Sequence, residues 1–158
     1  MFQRIQSLYL FIAAVAGILL FFFPIASFYD ELLGNYRFLI THVESMDPTP
    51  KIQLSTWFTS PLWILTCAGI ALSLVTMFLY KNRILQMRLV AFDILFNILI
   101  IILIFLFYIN KIEEYTHIVP SYRQVGIFFP LISLLFLVLA NRSIRRDEAK
   151  VRAADRLR

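Results

Sequence analysis

Cysteine, glycine and histidine are scarce in this chain, and each scarcity removes a class of protein. Cys67 is the single cysteine among 158 residues, so no internal disulfide, thiol pair or cysteine-based metal site can be built. Lying inside an apolar run, it reads as a small apolar filler. Four glycines, none in a phosphate-loop or nucleophile-elbow pattern, and two histidines too far apart for an HExxH pair, His42 and His117, leave no enzymatic motif. No enzyme and no cofactor is expected.

Apolar residues are abundant: they make up 60% of the chain, and sixteen of them are Phe. A soluble domain carries about 45–50%, so lipid is the natural solvent. A hydrocarbon core about 30 Å thick needs about 20 apolar helical residues to cross it, and the backbone must satisfy its own hydrogen bonds there. Four segments meet or approach that length, at 5–28, 62–80, 89–109 and 125–140. The fold class expected is an all-α membrane protein with four transmembrane helices in one membrane domain. Pro61 starts the second span where a missing N–H costs nothing, and Trp57 and Trp63 bracket it as interfacial residues. Pro130 predicts a kink in the fourth. The uncharged length of the first exceeds the about 7–15 residues of a cleavable leader, which predicts a retained span.

Lysine and arginine fix the orientation expected. With four spans, eleven of the fifteen bases fall on one side and only Arg37, Lys51, Lys111 and Arg123 on the other. Both termini are therefore expected in the cytoplasm. The external loops are then 29–61 and 110–124, and the cytoplasmic tail is 141–158. In the first loop, Tyr36–Val43 and Ile52–Phe58 are rich in aromatic and β-branched residues, with Asp47-Pro48-Thr49-Pro50 between them. That pattern predicts a small β-hairpin lying over the helix ends. The second loop carries Glu113, Glu114 and His117. A third function class, a lipid-modifying enzyme, would have to use these three, but their sequence pattern reads as a solvated loop.

The tail holds seven bases in its last 17 residues and no Gly or Pro, so the fourth span is expected to continue into the cytoplasm as one helix. Arg4, Arg142, Arg145, Arg146, Lys150, Arg152, Arg156 and Arg158 are the candidate residues for an anionic partner, whether acidic protein, lipid headgroups or ribosomal RNA. Within the spans, Asp93 and Asn97 are the polar candidates. Asp93 lies five residues, about 7–8 Å of helix, from Arg88. The expectation is that it reaches the headgroups or pairs with Arg88, Arg4 or a base from another helix, and that with Asn97 it glues a subunit contact. Thr66, Ser73, Thr76 and Ser133 read as residues bonded back to their own helices.

Two terminal motifs add a resemblance. The start, Met1-Phe2-Gln3-Arg4-Ile5-Gln6-Ser7-Leu8-Tyr9-Leu10, and the finish, Ala140-Asn141-Arg142-Ser143-Ile144-Arg145-Arg146-Asp147-Glu148 through Val151-Arg152 to Asp155-Arg156-Leu157-Arg158, resemble the Bacteroidota membrane-protein family known as domain of unknown function 4293. The resemblance spans essentially the whole chain. It implies a bacterial inner membrane and brings no catalytic residue, cofactor or substrate.

The function expected is a non-enzymatic accessory subunit of a larger inner-membrane protein complex, with protein export or insertion machinery as one host, docking on a partner through the basic tail helix. The alternative is a small transporter or proton- or ion-conducting protein using Asp93 and Asn97.

Overall fold

The computed structural model describes residues 2–30, 34–47, 55–79 and 82–156, with only the backbone described for 2–4, 56, 152 and 154–156. Among the described residues there are five α-helices and a small sheet: α1 (Phe2–Leu19), β1 (Ala26–Asp30), β2 (Gly34–Phe38), β3 (Val43–Ser45), α2 (Ser60–Phe78), α3 (Arg83–Ile102), α4 (Ile109–Thr116), β4 (Pro120–Ser121) and α5 (Phe128–Arg156). A π-helical stretch, Leu103–Tyr108, joins α3 to α4 without a break. Three helical stretches, Trp57–Phe78, Arg83–Thr116 and Val125–Val151, are long and apolar enough to cross a membrane. α1 packs between α2 and α5, and α3 closes the ring on their other side.

The first apolar run does not stay helical to residue 28. α1 ends at Leu19, its last bonds tighten to the i→i−3 pattern at Phe21 and Phe22, and the chain turns before Pro24. Proline disfavours helical backbone at the residue before it. Beyond it, Ile25 donates its N–H to Phe38 O, at 2.8 Å, and opens the sheet. Hydropathy is blind to the change, because Ile25, Ala26 and Phe28 are as buried in the sheet as a helix would bury them.

The sheet is antiparallel throughout, in the order β3-β2-β1-β4. It is larger than the expected hairpin and differently threaded. The expected strand Tyr36–Val43 is split by a turn in which Leu39 N–H donates to His42 O. Of the expected strand Ile52–Phe58, residues 52–54 lie outside the described residues, whereas Trp57 and Phe58 belong to the 3₁₀ turn Thr56–Thr59 leading into α2. Residues 48–50 also lie outside. Ser55 caps that turn by accepting from Trp57 N–H at 3.3 Å. β4 comes from the second loop, so both loops contribute to one cap over one end of the bundle.

The cap is held by an apolar core of Ile25, Phe28, Phe38, Ile40, Tyr108 and Ile112, all nearly inaccessible. Phe38 stacks on Tyr108 with centroids 5.9 Å apart, and Phe58 meets Tyr108 edge-on at 5.2 Å. The π-helical stretch places Tyr108 there. Its i→i−5 bond, Ile109 N–H to Ile104 O, adds one residue to the turn and rotates the helix beyond it, bringing Tyr108, Ile109 and Ile112 to the inside.

At the opposite end α5 runs unbroken for 29 residues, about 43 Å at 1.5 Å per residue. Pro130 is the third residue of α5, within the first turn, where its missing N–H breaks no helical bond, so the kink expected at Pro130 has no cause there. Cys67 faces outward rather than filling the core.

Candidate functional site

The inner faces of α2 and α3 are polar. α2 buries Leu62, Thr66, Gly69, Ser73 and Thr76, and α3 buries Gln86, Val90, Asp93, Asn97 and Ile100. Both sets recur at three- and four-residue steps, which puts each on one stripe of its helix. Joined by a short connection, the two helices run antiparallel, and the stripes meet rung by rung. Gln86 Nε2 donates to Thr76 O at 3.2 Å, and Ser73 Oγ donates to Asp93 Oδ2. Asn97 Nδ2 reaches across to Ser133 Oγ on α5, at 2.9 Å, and Ser133 donates on to Ala13 O of α1, at 3.3 Å. All four long helices are tied together at this level.

Asp93 is thus buried inside the bundle rather than in the headgroups, and among the described residues it pairs with no base; the side chain of Arg4 lies outside them. It is 3% exposed, and its hydrogen-bond partner is Ser73. Arg88 is exposed on the same helix and lines a separate surface groove with Arg83 and Glu148. The reason is angular: five residues along a helix turn the side chain through more than a full circle, onto another face. Asn97 likewise serves contacts within this chain. Of the four hydroxyls expected to bond back to their own helix, Thr66 does so, donating to Leu62 O at 2.9 Å. Ser73 and Ser133 donate across helices, and Thr76 Oγ1 is buried with no partner.

Between these side chains lies a cavity of about 20 Å³, walled by Thr66, Gly69, Ser73, Asp93, Asn97 and Ser133 among others. That is the room needed by one water-sized particle. Asn97 Oδ1 is buried and has no hydrogen-bond donor.

The two ends of the chain meet at the foot of the bundle. Gln6, 6% exposed, donates its Nε2 to Asp147 Oδ2, and Ile144, 1% exposed, seats the base of the tail against Leu10, Val90, Leu137 and Ala140. Arg142, Arg145, Arg146 and Lys150 are all exposed on the emerging helix, and Arg145 Nε donates to Asn141 Oδ1 at 3.2 Å. Arg142 and Arg146 border a groove of about 470 Å³ with Ile5, Tyr9 and Leu139. The side chains of Arg4, Arg152 and Arg156, and all of Arg158, lie outside the described residues.

Glu113, Glu114 and His117 do not converge. Glu114 pairs with Lys111 at 2.7 Å on the exposed side of α4, while His117 ends that helix in a left-handed conformation (φ 58°) and gives its backbone N–H to Glu113 O. Among the described residues no three His, Cys, Asp or Glu side chains form a metal-binding group. The hydrogen bond and the charge of Lys111 hold Glu114 below the usual carboxylate range, and the same pair raises Lys111. Such a pair contributes above the ordinary carboxylate range and is lost as acid titrates Glu114. Being fully exposed, it contributes little. Lys111→Ala is expected to move Tm by no more than about 1 °C at pH 7 or pH 4; a larger shift in differential scanning fluorimetry contradicts this.

The fold and site together define a helical bundle with three membrane-length helices, a hydrogen-bonded polar core and an antiparallel cap. The chain belongs to the family described as Domain of unknown function (DUF4293), which matches residues 2–157. No curated protein and no solved structure matches it. Both terminal motifs, apart from Met1 and Arg158, fall within the family match, and their contact through Gln6 and Asp147 joins them in space.

Proposed function

We propose that the chain is a non-enzymatic accessory subunit of a bacterial inner-membrane protein complex, crossing the membrane four times with both ends in the cytoplasm and docking on an anionic partner through its basic tail helix. The observation that carries this reading is the anchored foot of the tail. Ile144 in the core and the Gln6–Asp147 bond make the foot of the tail a fixed extension of α5, so Arg142, Arg145, Arg146 and Lys150 are presented in a set geometry. A loose tail would have to be ordered on binding, at a cost in entropy.

Two features support four spans. α1 has 18 residues, about 27 Å of helix, close to the hydrocarbon thickness of about 30 Å, and it packs along α2 and α5. The eleven-to-four split of bases then agrees with an even number of crossings. Seven bases in the tail exceed what orientation requires, and they favour a phosphate-rich or acidic surface. Export or insertion machinery fits as host, since ribosomes and nascent chains bring such surfaces to the membrane.

The test is a gentle detergent pulldown at native expression level, comparing the full chain with one ending at Asn141. The full chain is expected to retain a stoichiometric partner that the truncated chain loses. Recovery of lipid alone from both would sink the reading.

A further inference from the structure

The wall of the central cavity is apolar on Ala13, Leu20, Ile70, Ile100 and Pro130, and its polar part is made of acceptors. Each hydroxyl hydrogen in its wall is directed elsewhere: Thr66 to Leu62 O, Ser73 to Asp93 Oδ2 and Ser133 to Ala13 O. Because Ser133 has one hydrogen and gives it to Ala13, its oxygen must accept from Asn97. That fixes the amide, with Nδ2 on Ser133 and Oδ1 left over. Asn97 is 8% exposed, it lines the cavity, and no donor reaches this oxygen. The second carboxylate oxygen of Asp93 faces Gly69, where even a β-carbon would sit 3.5 Å away. Asp93 and Asn97, one turn apart on α3 and each with an oxygen left over, therefore both line one small space, with a carboxyl group among them.

Such a space calls for an electropositive occupant. Among the described residues no base lines it: α1 contributes Ala13 and Gly17 and α5 contributes Pro130 and Ser133. We propose that this cavity binds one small monovalent cation, of about sodium size, held by Asp93 Oδ1 and Asn97 Oδ1. Size excludes organic or hydrated cations, since about 20 Å³ admits one water-sized particle. An all-oxygen ligand set suits a hard cation. One carboxylate balances one positive charge, whereas a divalent ion would leave an excess charge in a low-dielectric interior. Water could donate to the two acceptors, yet it leaves the charge of an ionised Asp93 uncompensated, so water suits the protonated acid and a cation the carboxylate. The site also explains why Asp93 and Asn97 stand one turn apart on the inner stripe of α3. It goes beyond the subunit reading and does not depend on it.

The experiment uses the full chain in lipid nanodiscs at pH 8, with choline chloride exchanged for NaCl at constant ionic strength. Thermal unfolding and direct ²²Na⁺ binding are both recorded. Wild type is expected to bind about one Na⁺ per chain, and its Tm to rise by roughly 5–10 °C when Na⁺ exceeds its dissociation constant a hundredfold. Asp93→Asn is expected to lose both effects. Gly69→Ala places a methyl in the cavity at ordinary contact distance, so it is expected to keep the Tm seen in choline while weakening Na⁺ binding at least tenfold. A wild-type Tm that is the same in both salts, with no ²²Na⁺ bound above the Asp93→Asn background, would overturn the proposal and assign the space to water. So would a Na⁺ effect that both variants retain.

Discussion

Gly126→Ala is expected to lower stability by about 3–5 kcal/mol, because both groups that the added methyl meets are backbone. Gly126 lies in the 3₁₀ turn Val125–Ile127 that precedes α5, where the chain closes over the turn at the end of α1. Its N–H donates to Pro24 O at 3.1 Å, and a β-carbon there would fall on the Pro24 carbonyl and within 2.7 Å of Phe23 O. Overpacking against side chains costs about 1–3 kcal/mol because rotamers can yield. Here both obstacles are backbone. Relief requires α5 to move away from α1, which also leaves Pro24 O without its donor, at about 1–3 kcal/mol. The measurement is Tm in detergent, compared with Gly69→Ala, whose added carbon makes only ordinary contact. Equal Tm values for the two variants would contradict the close packing of Gly126 on Pro24.

Phe38→Ala is expected to cost about 3–5 kcal/mol and to lower Tm by roughly 10 °C. Phe38 is fully buried at the centre of the cap, stacked on Tyr108, cross-paired with Ala26, and its carbonyl accepts from Ile25 N–H. An isolated small sheet is marginal in water, so its order depends on this contact with the helices. Removing the ring leaves a cavity between sheet and bundle. The loss should be local first: amide exchange in β1 and β2 is expected to rise sharply while that of α2 and α3 stays slow. A Tm drop below about 2 °C, or exchange rising equally throughout, would show that the cap is not held through Phe38.

The helices were legible because their signal is long. Runs such as Leu89–Ile109 need only hydropathy to be read, and the absence of Gly and Pro after Ala140 was enough to carry α5 into the tail. Shorter apolar stretches were not legible. Ile25–Phe28 is equally apolar as the end of a helix or as a strand, and the choice is made by Pro24 together with pairing to Phe38, far along the chain. The split between β2 and β3 had no Gly, Pro or Asn to mark it. It exists because Ile40 is drawn into the core while Leu39 and His42 close the turn.

The polar core was half legible. The steps from Thr66 to Thr76 and from Gln86 to Asn97 were present as spacing, and reading them as two facing stripes would have placed Ser73 opposite Asp93. Ser133 and Ala13 could not be found in that way, since nothing local says that α5 and α1 meet α3 at that height.

Composition and periodicity by themselves determined that this chain forms long apolar helices, carries a helical basic tail and lacks the common catalytic motifs, because solvent preference and helix propensity are summed over many neighbouring residues. Only the tertiary structure decided that Asp93 is sealed inside rather than paired with Arg88, that Asn97 keeps an unmatched oxygen, and that Gln6 meets Asp147. Each of those depends on which helix faces which, and that is fixed by packing between residues distant in sequence.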